Sequence, residues 1–271
     1  MEQIELRGRT VPALGLGTWR LTGTEARRAI AAALEIGYRH IDTARRYENE
    51  REVGAAIAEA AVPRSELFLT TKVWWEDLHA QDLRQSVAAS CEALRTDYLD
   101  LVLIHWPNFS LPLKEPISAM ERLAQEGVIH LIGVSNFPPD LLRGAIAVGP
   151  VACDQVEYHP YLGQLELLDI CQEHDLMLTA YAPIARAKVL EEPRLQQIGR
   201  KYDKDPIQVT LRWLLQQERV AAIPKAADPQ HLRSNFDVFD FELEEDEMLQ
   251  IHGLRRGERL IDPGFAPQWE R

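Results

Sequence analysis

Cysteine is scarce in this sequence: Cys91, Cys153 and Cys171 are the only three among 271 residues. An odd count without C-x-x-C spacing gives no disulfide framework and no cysteine-based metal site, and it fits a reducing compartment. Positive charge is also in deficit. Thirty Lys and Arg stand against 42 Asp and Glu, a formal charge of −12, which argues against nucleic acid as a partner because such binding relies on cations that neutralise phosphates. The apolar runs are too short to span a bilayer, and Met1-Glu2-Gln3-Ile4-Glu5 lacks the basic and apolar regions of a secretory signal. No membrane partner is therefore expected, and the cytoplasm is the expected location. A dinucleotide-binding glycine loop is missing as well: Gly15-Leu16-Gly17-Thr18 lacks the third glycine of G-x-G-x-x-G, so a Rossmann domain is not expected.

What is present reads as alternation. The 46% hydrophobic content supplies a substantial core, and a chain of this length fits a single α/β barrel. Short apolar runs at Ala13–Gly17, His40–Asp42, Leu67–Lys72, Leu99–His105, Leu131–Ser135, Ala152–Glu157, Met177–Tyr181 and Ala221–Ile223 predict strands. Between them lie helical patterns such as Thr24–Glu35, Glu50–Ala60, Gln81–Arg95 and Pro116–Gln125. Eight βα units predict a (β/α)8 TIM barrel occupying residues 1–271 as one domain. Strand-like residues around Arg7-Gly8-Arg9 predict an N-terminal β-hairpin plugging the barrel bottom. Helical segments at Gln230–Val238 and Glu244–His252 and an irregular tail extend beyond the last strand. Nothing in the sequence specifies an oligomer, so a monomer is the default.

Functional residues of such a barrel gather where strands end. Here the runs end on Asp42, Lys72, His105, Ser135 with Asn136, Gln155 with Glu157, and Tyr181, and the eighth leads to Lys225. Any one polar ending is an ordinary return to solvent. Several that converge on one mouth describe a site. Lys72 and His105 are anchored to runs that should be buried, where a cation or an imidazole needs a partner; Asp42 is the candidate partner for Lys72.

At these residues the sequence resembles the aldo-keto reductase family, in its short-tailed bacterial branch similar to 2,5-diketo-gluconate reductases. Ile41-Asp42-Thr43-Ala44 with Tyr47-Glu48-Asn49-Glu50, Thr71-Lys72, Ile104-His105-Trp106-Pro107, Ile132-Gly133-Val134-Ser135-Asn136-Phe137 and Ile223-Pro224-Lys225 match family segments in order. The resemblance implies NAD(P)H-dependent reduction of a small carbonyl substrate. Tyr47 would be the proton donor, Lys72 and Asp42 the pair that tunes it, and His105 the residue that orients the carbonyl. A free tyrosine, with a pKa of roughly 10, is poorly matched to proton transfer at neutral pH, so Lys72 is expected to draw it down. Trp19, Trp74 and Trp106 match positions that wall the substrate pocket.

For the cofactor, the resemblance implies that Ser135, Asn136 and Gln155 hold the nicotinamide amide, that Tyr181 stacks on its ring, and that Thr18, Trp19 and Asp42 lie beside it. Ala182, Ile184 and Arg186 would follow the pyrophosphate, and Lys225, Ala226, His231 and Asn235 the adenosine end. NADPH is the family's common cofactor. Here Ala226 and His231 replace the serine and arginine that usually grip the 2′-phosphate, and histidine, mostly neutral at pH 7, is a weaker anion ligand than arginine. NADH is therefore expected to be accepted. A nicotinamide-binding redox-sensor barrel with little turnover is the competing reading, and Asp42, Tyr47, Lys72 and His105 together weigh against it. No metal site is expected, because the eight histidines show no ligand pairing.

Overall fold

The computed structural model describes residues 2–269. Strands β1 (Gln3–Leu6) and β2 (Arg9–Pro12) pair antiparallel, with Ile4 opposite Val11. Arg7 and Gly8 between them both have positive φ (50° and 77°), the backbone that a two-residue hairpin turn demands. Ile4, Leu6 and Val11 point into the core, and Pro12 O meets the His40 ring at 3.1 Å, so the hairpin covers the end where the barrel strands begin.

Eight parallel strands follow in sequential order: β3 (Leu16–Gly17), β4 (His40–Asp42), β5 (Phe68–Val73), β6 (Leu99–Ile104), β7 (Ile129–Ser135), β8 (Val151–Glu157), β9 (Met177–Tyr181) and β10 (Val220–Ala222). The two edges meet through a parallel bridge between Leu14 and Ala222 and the bonds Ala222 N to Ala13 O (2.8 Å) and Gly15 N to Ala222 O (2.9 Å). The chain is thus a closed (β/α)8 barrel. The seam is tight, since a Cβ on Gly17 would lie 2.6 Å from Ile223 O, so only glycine fits there. Every residue of β5, β6 and β8 is buried, as expected of strands covered on both faces.

The expected helices form as α1 (Gly23–Ile36), α2 (Glu50–Glu59), α3 (Ala80–Leu94) and α4 (Lys114–Gln125). After them come α5 (Pro139–Val148), α6 (Leu165–Glu173), α7 (Pro193–Tyr202), α8 (Pro206–Leu215), α9 (Pro229–Phe236) and α10 (Glu245–His252). Proline at the first turn and an aspartate cap start both α8 and α9. The first predicted strand, Ala13–Gly17, pairs regularly only at Leu16–Gly17, because Leu14 is spent on closing the barrel. Residues 253–269 form no helix or strand and cross the mouth. Among the described residues no helix is long and apolar enough to cross a membrane, and no group of three or more metal-ligating side chains occurs.

Candidate active site

Neighbouring strands deliver the predicted residues to one place. Asp42 ends β4, Lys72 lies one residue before the end of β5, and His105 follows β6. Tyr47 ends a 3-10 turn (Arg45–Tyr47) that leaves β4. Lys72 is 1% exposed and its ammonium has three partners: Asp42 Oδ1 at 2.5 Å, Thr43 O at 2.9 Å and Tyr47 OH at 3.3 Å. Asp42 Oδ2 accepts from Gln155 Nε2 at 2.7 Å. The Tyr47 ring stands edge-to-face with His105, centroids 5.6 Å apart.

The electrostatics follow from burial and pairing. Burial pushes Lys72 down, but the Asp42 carboxylate and Tyr47 outweigh it and hold the ammonium above its ordinary value. Burial pushes His105 well down, and the charges of Lys72 and Arg46 add to the effect, so the imidazole is neutral. For Tyr47 the sequence expectation has to be corrected in sign. Burial raises the phenol and Lys72 only partly opposes it, so the net shift is upward. The cation beside the phenol is the one expected, but its charge is already shared with Asp42.

A second polar group forms the floor. Ser135 Oγ donates to Gln155 O at 2.7 Å, Asn136 Nδ2 donates to His105 O at 3.0 Å, and Tyr181 OH donates to Asn136 Oδ1 at 2.7 Å. Asn136 has φ +63°, a left-handed conformation that asparagine tolerates better than most residues. With Asn136 Nδ2 also donating to Ser135 Oγ at 3.0 Å, these bonds tie His105, Asn136, Ser135, Gln155, Tyr181, Asp42 and Lys72 into one network across the ends of six strands, β4 to β9. Thr18 Oγ1 and His105 Nδ1 are buried there without a partner among the described residues.

The aromatic wall holds one residue that the sequence reading did not assign. Trp74 stands edge-on to His105 (5.2 Å), Trp106 is buried, and Trp19 is 44% exposed at the rim. Phe265, from the tail, lies 5.4 Å from both Trp74 and Trp106. No local pattern places a tail residue here. Asn49 also gains a role: its amide donates to Thr18 O and Leu21 O, each at 2.8 Å, fastening the Trp19 loop to the Tyr47 loop.

The remaining predicted residues spread along the strand ends. Ala182 and Ile184 are half-buried and Arg186 is exposed after β9, in a loop where Ala182, Ala185, Arg186 and Ala187 all have positive φ (46°, 48°, 53° and 69°). Lys225 and His231 are exposed, Asn235 is buried on α9, and Ala226 is turned into the core. Asp228 caps α9, its carboxylate accepting from Gln230 N at 2.7 Å.

A closed parallel barrel that gathers a buried lysine–aspartate pair, a tyrosine and a neutral histidine at its strand ends defines a class of enzyme, and the chain belongs to the aldo/keto reductase family, whose model matches residues 13–256. It is an oxidoreductase of that NAD(P)H-dependent family. An aldo-keto reductase of Mycolicibacterium smegmatis is 41% identical over 256 residues, 93% of each chain. The methylglyoxal reductase DkgB of Escherichia coli O157:H7 is 39% identical, over 96% of this chain and 99% of its own. A crystal structure attributed to a 2,5-diketo-D-gluconic acid reductase B superposes with a TM-score of 0.97 at 41% identity, covering 100% of this chain and 98% of that one.

Proposed function

We propose that this chain reduces small aldehydes or ketones to alcohols, with Tyr47 donating the proton, and works as a monomer with a single barrel domain. The observation that carries the reading is the Lys72 ammonium, bonded at once to Asp42, Thr43 O and Tyr47 OH. When bound, a reduced nicotinamide supplies the hydride. The residues present fit that group: Tyr181 is pinned by Asn136 at the floor, Gln155 commits its Nε2 to Asp42, and among the described residues nothing donates to Gln155 Oε1 and Thr18 Oγ1 has no partner.

As negative charge grows on the carbonyl oxygen, the Tyr47 hydroxyl protonates it and Lys72 stabilises the phenolate left behind. Asp42 keeps the ammonium charged and in place. His105, held neutral by its surroundings, carries no competing charge and orients the carbonyl beside Tyr47, whose ring it meets edge-to-face. Trp19, Trp74 and Trp106 wall the substrate and limit water.

The adenosine end favours a relaxed cofactor choice. Lys225 remains exposed, and Asp228 sets a carboxylate on the N-terminus of α9, where a helix would otherwise attract phosphate. Ala226 offers no hydroxyl and His231 no fixed charge. NADH is accepted alongside NADPH. Dissociation constants for both, from quenching of tryptophan fluorescence, and rates with both against aromatic aldehydes, keto-esters and keto-sugars test the reading. A preference for NADPH beyond about a hundredfold, roughly 2.7 kcal/mol, would overturn the cofactor choice.

A further inference from the structure

We propose that Glu157 is a positioning residue for the substrate pocket: its carboxylate holds the tail so that Phe265 completes the aromatic wall, and the completed wall selects carbonyl compounds with a flat, ring-bearing substituent. The inference rests on the carbonyl-reductase reading above and assigns a task to strand-end residues that the chemistry leaves unused.

Glu157 ends β8 and is fully buried. Its Oε1 accepts from Leu260 N at 2.7 Å and pairs with His159 Nε2 at 2.9 Å, while Oε2 accepts from Ile261 N at 2.9 Å. Two consecutive backbone amides on one carboxylate fix both the position and the rotation of the chain. A weaker seam continues the attachment: Tyr161 O accepts from Arg256 N and Glu258 N, each at 3.1 Å, and Lys188 pairs with Glu258. Undocking would take two backbone donors from the Glu157 carboxylate, and hydrogen bonds to a charged acceptor of this kind favour the docked tail.

Four residues beyond Ile261, Phe265 meets the Trp74 and Trp106 rings at 5.4 Å and Trp75 at 6.0 Å. Trp74 in turn stands against His105. The wall therefore reaches the reacting end of the pocket from a segment with no regular structure, and Glu157 sets its place without touching substrate.

Glu157→Gln tests this, because a side-chain amide has one acceptor oxygen and must turn its NH2 toward another donor. Ile261→Pro deletes one of the two amides from the tail side and leaves the barrel untouched. Both variants are expected to raise KM for an aromatic aldehyde about tenfold by loosening apolar contact, with kcat and the kinetics for methylglyoxal little changed. In a Phe265→Ala background Glu157→Gln should add no further loss. Limited proteolysis should cut the tail faster in both clamp variants than in the native protein. Equal losses for both substrates, full additivity with Phe265→Ala, or unchanged proteolysis would overturn the proposal. A native protein that reduces no carbonyl compound would instead overturn the functional reading, and the proteolysis result would still decide the clamp.

Discussion

Removing the charge of Asp42 should be costly for reasons visible atom by atom. Both carboxylate oxygens accept from donors, Oδ1 from Lys72 Nζ and Oδ2 from Gln155 Nε2. An asparagine has a single oxygen, so one donor must face its NH2. Lys72, 1% exposed, would also lose its counter-ion. Breaking a buried pair from one side costs about 3–5 kcal/mol. At roughly 2–4 °C per kcal/mol for a protein near this size, Asp42→Asn should melt about 6–20 °C lower. Replacing both partners by apolar residues, Asp42→Leu with Lys72→Met, should recover most of the loss and no activity.

The pH dependence gives a second handle on the same pair. In the native protein Lys72 is held above its unfolded value of roughly 10.4, so its stabilising contribution is full below that pH and is lost as pH rises through the folded value. In Asp42→Asn burial is the dominant influence left, and it lowers Lys72. The variant therefore gains stability as pH rises from that lowered value toward about 10.4. Urea titrations across this range should show the gap between the two proteins narrowing with alkalinity. A loss under about 1 kcal/mol at neutral pH, small against the cost of a broken buried pair, or a gap that widens with pH, would refute the reasoning.

Two further outcomes follow from the same electrostatics. Because burial raises Tyr47 and lowers His105, kcat/KM for carbonyl reduction should be level from pH 5 to 8 and fall only above about 10, the free-phenol value; an inflection near 6.5 that His105→Gln removes would contradict this. Burial also pushes the Asp154 carboxyl well up, while the unfolded chain ionises it near 4, so native stability is lost as pH rises from there toward the folded value. Asp154→Asn should gain relative to the native protein between pH 4 and 7 in urea titrations, and a pH-independent difference would refute the assignment.

Strand ends were the most legible part of the sequence. Lys72 and His105 follow runs too apolar to be surface, and a parallel barrel gives such endings one destination, which is why the sequence pairs Lys72 with Asp42. The sign of the Tyr47 shift could not be read so easily. It depends on how burial compares with a cation already shared with Asp42, and a motif carries no burial. Phe265 and the tail's attachment to Glu157, a residue visible only as a polar strand ending, were hidden for a different reason. The tail has neither helical nor strand periodicity, and its anchor lies 103 residues away from Leu260, so no local pattern joins them. Asn49 was visible as part of a signature, but its two carbonyl partners lie on a loop about 30 residues earlier.

The central claim is that Tyr47 gives the proton, and the rate of NADH and NADPH oxidation with an aromatic aldehyde, native protein against Tyr47→Phe, tests it directly. The native protein should turn over with both cofactors, and Tyr47→Phe should lose about 10²–10⁴-fold in kcat while cofactor dissociation constants stay unchanged. Near-native turnover by Tyr47→Phe would place the proton donor elsewhere and contradict the account.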